Sequence, residues 1–274
     1  MLVSLQTFAT DNKYGLKDNI QDGVILHCFD WTYAQIKEEL PNIAAAGFSA
    51  VQTSPAHPRE PVGAAWYMLY QPYDYKVGEN GLGTKEGLTE LCTEAHQYGV
   101  KIIVDVVANH TNGSLSYVAS FWQDQSLYHD YQGGIDYSNR WQVTHGRFGM
   151  WDLKTEDSRV QEKIKEYVAE LKSCGVDGIR WDAAKHIGLP SEGDTFWQNV
   201  PDQTMYNYGE ILDGTSGDDT VSEKVEVVSQ TTGVQLHPVA GESSAKAMIY
   251  NLQGQRVDAN YRGVVVCNGR KYVQ

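Results

Sequence analysis

Within nine positions, Gly178-Ile179-Arg180-Trp181-Asp182-Ala183-Ala184-Lys185-His186, the chain sets down a guanidinium, a carboxylate, an amine and an imidazole. On a strand, side chains alternate between faces, so Arg180 and Asp182 share one side while Ile179 and Trp181 take the other. A fixed cation beside a carboxylate favours the ionised form, which suits a nucleophile or a charge stabiliser. Taken alone, Arg180 and Asp182 read more simply as a structural ion pair. Lys185 and His186 following directly make a density of functional groups that packing does not explain. Two further strand-like runs end in polar groups: residues 101–107 lead into Ala108-Asn109-His110-Thr111, and residues 205–210 end on Glu210.

These groups need strands to carry them, and the chain supplies a rhythm of strands and helices. Val24-Ile25-Leu26-His27-Cys28-Phe29 is a continuous apolar run of strand length, as expected for a parallel strand covered on both faces. Residues 32–46 carry Ile36, Leu40, Ile43 and Ala44 at helical spacing and stop at Gly47. Pro41 in their middle predicts a kink or two short helices. Residues 49–53 give a second strand. A long loop, residues 54–83, holds the aromatic run Ala65-Trp66-Tyr67-Met68-Leu69-Tyr70-Gln71-Pro72, and loops of that length are usually functional. Residues 84–98 form a second helix with Thr84 as its cap and Gly99 as its stop, followed by the third strand at 101–107. Residues 111–150, rich in Gly, Ser, Tyr and Asp, break the rhythm and read as an inserted subdomain. Residues 158–174 are an amphipathic helix with Val160, Ile164, Tyr167, Val168 and Leu171 on one face. The segment from Gly178 becomes the fourth strand, and 205–210 the fifth. Such alternation, with polar groups at C-terminal strand ends, indicates a parallel α/β fold of barrel or doubly wound type. No glycine-rich loop follows the first strand, which weakens the nucleotide-binding version. From Asp213 the pattern turns β-rich: residues 221–228, 247–252 and 263–266 read as short strands, with Gln253-Gly254 and Asn268-Gly269 as turns and Asp213-Gly214-Thr215-Ser216-Gly217 as the joint.

A formal charge of -13 argues against nucleic-acid or anionic-membrane partners. The content of 7 Trp and 17 Tyr suits flat, hydroxyl-rich ligands such as sugars, although aromatic rings also serve simply as core. Cys28, Cys92, Cys174 and Cys267 are scattered, with neither zinc-site nor disulfide spacing. No apolar run of about 18 residues is present to span a membrane. Met1 to Thr10 lacks the basic start and apolar centre of a signal peptide.

Taken together, these segments resemble the α-amylase family, glycoside hydrolase family 13. Asp105-Val106-Val107-Ala108-Asn109-His110 is similar to its first motif, Gly178 to His186 to its second, and Tyr208-Gly209-Glu210 to its third. Trp66 to Pro72 resembles the aromatic sugar-binding stretch of animal-type members, and Trp151-Asp152-Leu153 the short motif that closes domain B. Each alone is weak, but they stand in family order over residues 20–212. The resemblance implies an incomplete (β/α)8, TIM-type barrel: residues 1–110 as its first part, 111–150 as domain B, 151–212 as its second part, and 213–274 as a small β-rich region. It implies retaining hydrolysis of internal α-1,4 bonds in starch-like glucans, with Asp182 as nucleophile, Arg180 keeping it ionised, and Glu210 as an acid/base of raised pKa. His110, Tyr70, Trp66, Tyr67, Lys185 and His186 would bind the sugar chain. Asn109, Asp152 and the His186 carbonyl would bind Ca2+. Without the family, Asn109 reads as a loop-capping amide, Asp152 as a helix or turn cap, and Asp105 as support for Arg180.

The family's fourth motif, a histidine followed by the third catalytic aspartate, has no counterpart after Glu210, so the chain resembles an amylase cut after its fifth strand, with turnover lowered accordingly. The tail from Ile249 to Val257 and from Arg262 to Lys271 resembles C-terminal sorting modules of secreted bacterial proteins, which implies a secreted or cell-surface protein. Open edges on the first and fifth strands would be covered by the tail or by a second copy in a homo-oligomer. A non-catalytic glucan-binding protein and a transglycosylase of the same family share the same motifs and stand as the alternatives.

Overall fold

The structure is a computed structural model of the 274-residue chain; it describes residues 13–59, 65–78, 80–131 and 133–211, together with four short strands between 249 and 273. Strand β1 (Ile25–Cys28) leads through helix α1 (Tyr33–Ala45) to β2 (Ala50–Thr53), and α2 (Lys85–Gln97) leads on to β3 (Lys101–Val107). After β3 the chain makes a short antiparallel ladder of β4 (His110–Thr111) and β5 (Trp151–Asp152), with the short helix α3 (Arg140–His145) between them. Helix α4 (Ser158–Ser173) then leads to β6 (Gly178–Asp182), and the four-residue α5 (Phe196–Asn199) precedes β7 (Tyr206–Gly209). The five long-range strands pair in parallel in the order β1-β2-β3-β6-β7.

Local chemistry accounts for the helix ends. Thr32 and Gln35 form a reciprocal capping box, the Gln35 N–H donating to Thr32 Oγ1 at 3.2 Å and the Thr32 N–H to Gln35 Oε1 at 2.8 Å. Thr84 accepts from the Gly87 N–H, and Asp157 from the Arg159 N–H. Just past the three long helices, Gly47, Gly99 and Gly175 take left-handed φ values of 87°, 74° and 94°. The division of α1 expected at Pro41 does not occur: α1 is one helix with Pro41 inside it. The proline removes one backbone donor. The buried stripe of Tyr33, Ile36, Leu40, Ile43 and Ala44 spans both sides of that defect and seats both halves in the core.

The sheet has two unlike faces. Leu26, Val51, Ile102, Val104, Val106, Ile179 and Trp181 are buried in the same core as Leu88, Leu91 and Ala95 of α2 and Ile164, Val168 and Leu171 of α4. On the other face, register aligns His27, Gln52, Ile103, Gly178 and Tyr206 in one row and Asp105, Arg180 and Tyr208 in the next. The Tyr208 hydroxyl on β7 donates to Gln52 Oε1 on β2 at 2.5 Å. Three strand spacings in a flat sheet amount to roughly 14 Å, too far for side chains that stand upright on it. The sheet therefore curls around this face as a barrel wall does. A side chain at Gly178 would meet the Tyr206 carbonyl at 2.9 Å, so glycine is what lets the inner row close up.

A separate four-stranded antiparallel sheet has the order β11-β10-β8-β9, formed by β8 (Ile249–Asn251), β9 (Arg256–Val257), β10 (Val264–Cys267) and β11 (Arg270–Val273). Two of these coincide with the strands expected at 247–252 and 263–266, and β9 and β11 are additional. The strand expected at 221–228 and the joint from Asp213 to Gly217 lie outside the described residues. Cys28, Cys92 and Cys174 are free and buried. Among the described residues no helix is long and apolar enough to cross a membrane.

Candidate active site

The C-terminal ends of the parallel strands converge on a cavity of about 460 Å³ whose lining includes Arg180, Asp182 and Glu210. Strand alternation puts Arg180 and Asp182 on the inner face of β6, and register places Asp105 of β3 beside Arg180. The Glu210 N–H donates to the Trp181 carbonyl at 2.8 Å, extending the β6–β7 ladder by one step and seating Glu210 beside Asp182. One guanidinium joins all three acids. Arg180 Nη1 donates to both Asp105 oxygens at 2.7 Å and to Asp182 Oδ1 at 2.8 Å, while Nη2 lies 2.6 Å from Glu210 Oε1. Ala183, directly after β6, takes a left-handed φ of 49°, and its N–H donates to Glu210 Oε2 at 3.2 Å. A non-glycine residue in that region is strained, and here the strain aims a backbone donor at a carboxylate.

The electrostatics differ from the sequence expectation. Arg180 was expected to keep Asp182 ionised, yet burial pushes the Asp182 carboxyl well up and the negative charge of Asp105 adds to this, with Arg180 only opposing. Burial likewise raises Asp105, to about 6. One cation facing three carboxylates leaves an excess of negative charge in a poorly solvated space, and such a site retains a proton. Asp105 is fully buried and carries Arg180 and the Tyr70 hydroxyl, which donates to Asp105 Oδ2 at 2.9 Å. Asp105 thus supports the cluster from below the cavity floor.

Aromatic and basic side chains surround these acids. The lining includes His27, Phe29, Trp66, Tyr70 and His110. Phe29 lies nearly parallel to Tyr70 at 18°, with centroids 6.3 Å apart, and Trp66 meets both rings at an angle. Trp66 is 54% exposed, so its ring is open to a partner, whereas Tyr67, at the edge of Trp66, lies outside the cavity lining. His110 reaches the cavity, but its Nε2 lies 3.0 Å from the Tyr70 carbonyl. One ring nitrogen of His110, expected to bind the sugar chain through its imidazole, is therefore engaged with the backbone. Tyr137, Phe148, Met150, Lys185 and His186 also line the cavity, Phe148 packing on His110 with centroids 5.0 Å apart. Lys185 Nζ lies 4.6 Å from the centre of the Tyr137 ring.

The expected metal ligands also meet. The Asn109 amide nitrogen lies 2.9 Å from Asp152 Oδ1 and 3.4 Å from the His186 carbonyl, and Asn109 Oδ1 lies 3.3 Å from His110 Nδ1. Burial lowers His110 to about 4, so its ring is neutral near pH 7. If Nε2–H serves the Tyr70 carbonyl, Nδ1 is an acceptor facing another acceptor. Turning the amide over gives Nδ1 its donor and sets three oxygens together, an arrangement that a hard cation such as calcium reconciles. The residues therefore fit the ion. No cluster of three or more His, Cys, Asp or Glu side chains among the described residues is arranged to hold a metal, and this amide–carboxylate–carbonyl set is of another kind. Asp152 has a partner that the sequence did not reveal: His129 Nδ1 lies 2.6 Å from Asp152 Oδ2, and His129 Nε2 lies 3.2 Å from Glu156 Oε1.

Sequence reasoning missed Phe29, Tyr137, Phe148, Met150, Ala183 and His129. Phe29 carried a usable signal, standing one residue beyond the C-terminal end of β1, where parallel barrels place their ligand-contacting groups. Tyr137, Phe148 and Met150 lie in an irregular stretch without periodicity, and only the fold brings them to the cavity.

A parallel sheet curled into a barrel wall thus carries two carboxylates and an arginine at its C-terminal rim with aromatic rings beside them, the rim at which barrel folds place their sites. The family model described as "Alpha amylase, catalytic domain" matches residues 32–265, and the chain belongs to the α-amylase family. It is 40% identical over 229 residues to an alpha-amylase of Clostridium acetobutylicum, covering 76% of this chain and 30% of that protein. It is 32% identical over 247 residues to an alpha-amylase of Butyrivibrio fibrisolvens, covering 75% and 25%. Among solved structures, an alpha-amylase from Malbranchea cinnamomea superposes with a TM-score of 0.62 at 26% identity, over 76% of this chain and 52% of that one. The chain thus spans between a quarter and a third of the length of these two curated relatives.

Proposed function

We propose that this cavity hydrolyses internal α-1,4-glucosidic bonds of starch-like glucans with retention. The observation that carries the reading is the clamping of Asp182 and Glu210 onto the two terminal nitrogens of one guanidinium. That brings the carboxyls close together, as retaining chemistry requires with its separation of about 5–5.5 Å. Glu210 protonates the glycosidic oxygen as the Asp182 carboxylate attacks C1, forming a glycosyl ester and expelling the shortened chain. Glu210, now a carboxylate, then takes a proton from water, which attacks C1 and frees Asp182. The cycle starts with Glu210 protonated and Asp182 ionised, and Arg180, which opposes the effect of burial on Asp182, favours that charge on Asp182. Phe29, Trp66, Tyr70 and Tyr137 offer aromatic rings to the sugar chain, and Lys185 and His186 offer polar groups in the same cavity.

Reducing-sugar release from soluble starch, compared with the Glu210→Gln variant, tests the reading. A loss on the order of 10² or more is expected in the variant. Equal release from both proteins counts against hydrolysis here, and glucan binding without release points to a binding protein. Chain lengthening in the presence of an acceptor sugar points to transglycosylation.

The reading includes a calcium ion held by Asn109, Asp152 and the His186 carbonyl, where it would fasten the β4–β5 ladder to the end of β6. Chelation is expected to lower the unfolding temperature, and an unchanged temperature removes the ion from this account. It also includes export from the cell, on the resemblance of the tail to sorting modules. Recovery of the protein from the producing cells alone, with none in the medium or at the surface, would exclude this.

A further inference from the structure

The aromatic wall is built on a short 3-10 turn, Trp66–Tyr70, and such a turn leaves its last carbonyls without partners inside the helix. Two histidines from elsewhere in the chain fill adjacent vacancies. His110 Nε2 lies 3.0 Å from the Tyr70 carbonyl, and His57 Nε2 lies 2.7 Å from the Leu69 carbonyl. His57 follows β2 and is fully buried, and its Nδ1 has no partner among the described residues. Among the described residues, the one polar contact of its ring is therefore the bond to the turn. Keeping an imidazole in an apolar interior with one nitrogen unsatisfied is costly, and a purely packing role would be met better by an apolar side chain.

The turn is also tied to the chemistry. The Tyr70 hydroxyl donates to Asp105, Asp105 carries Arg180, and Arg180 holds Asp182 and Glu210. Leu69 is buried beneath the turn while Trp66 stands open beside the cavity. Any rotation of the 66–70 turn would therefore move the aromatic face and the Tyr70 hydroxyl together.

We propose that His57 is a positioning residue for substrate: its Nε2–H, donated to the Leu69 carbonyl, fixes the height and tilt of the Trp66–Tyr70 platform at the cavity. It acts through the turn and touches no substrate. Burial keeps the ring neutral, lowering it to about 3, so the donor is present throughout the working pH range.

The test uses the full chain and three variants. His57→Gln can present an amide N–H near the position of Nε2, His57→Asn falls short of it, and His57→Leu removes the donor. Two readouts are needed, because the inference rests on the glucan reading only in its kinetic arm. The first is the near-ultraviolet circular dichroism of the coupled Phe29, Trp66, Tyr67 and Tyr70 rings, which requires no substrate. The second is KM and kcat on maltoheptaose or, without turnover, binding of that oligosaccharide. In the Leu and Asn variants the aromatic bands are expected to change and KM or Kd to rise roughly tenfold, with a smaller change in kcat. His57→Gln is expected to restore both to within about twofold. Should His57→Leu fail to fold, the contrast between Gln and Asn decides the matter. Changed bands without turnover or binding in the parent protein would leave the positioning role standing while the glucan reading fails. Variants that differ from the parent only in unfolding temperature, or a Gln variant as impaired as Leu, would overturn the proposal.

Discussion

The two faces of the five-stranded sheet follow opposite designs although the same strands build both. Toward the helices, Val51, Ile102, Val104, Val106 and Ile179 are completely buried in one continuous core. Toward the barrel interior the sheet buries Ala50 and Ile103, joined by Ile20, and Val107 beside Asp182, with Ile25, Tyr206 and Tyr208 half-covered. Directly above them lies the Arg180 cluster. The outer face gains its free energy from area removed from water, about 25 cal/mol per Å². The inner face holds together through a shared cation and hydrogen bonds such as Tyr208 to Gln52. Stability and chemistry are thus divided between alternate residues of each strand, and each face has its own point of failure.

The largest effect should come from removing the cation. Arg180→Met leaves Asp105, Asp182 and Glu210 crowded without a counter-charge, and breaking a buried pair in this way typically costs about 3–5 kcal/mol. Turnover should fall by about 10³ or more, because positioning and charge stabilisation are lost together. Urea unfolding and starch hydrolysis measure the two losses. A variant as stable as its parent would show that the inner face does not depend on its ion cluster.

A pair of truncations sharpens the contrast. Leu91→Ala, on the fully buried outer side, should cost about 2–5 kcal/mol. Ile25→Ala, on the half-covered inner face, should cost about 1 kcal/mol or less. Equal losses in chemical unfolding would mean that the inner face is sealed in solution as well as the outer one, and the division between the faces would no longer hold.

The sequence exposed the outer face more fully than the inner. Helix α4 was legible from the spacing of Val160, Ile164, Tyr167, Val168 and Leu171, all of them buried, and β3 was legible from its β-branched run, interrupted only by Asp105. Periodicity reports which residues leave water, and that is what helices and the outer strand face do. The convergence of Asp105, Asp182 and Glu210 on one guanidinium depends on register between strands distant in sequence, which no local pattern encodes. Family motifs supplied their likeness to a known site, but neither the burial that raises Asp182 nor the strained turn at Ala183. Pro41 failed in the opposite direction: local propensity called for a break, and burial on both sides of it prevailed.

A second buried ion cluster, built on a cation that can lose its charge, allows the sharpest comparison with Arg180. His129 lies between Asp152 and Glu156; burial alone would lower its pKa, but the bonds to these two acids outweigh it and raise the pKa to about 9. A histidine that is more basic folded than unfolded contributes stability that is fully present below its unfolded value of about 6.5 and is lost as pH rises through about 9. Arg180 keeps its charge across this whole range. In chelator, the unfolding free energy should therefore fall between pH 6.5 and 9, by at most about 3 kcal/mol. His129→Gln should flatten that slope while leaving the Arg180 cluster in place. A slope unchanged in the variant would show that the pH dependence arises elsewhere, and that the imidazole between Asp152 and Glu156 is already neutral at pH 7.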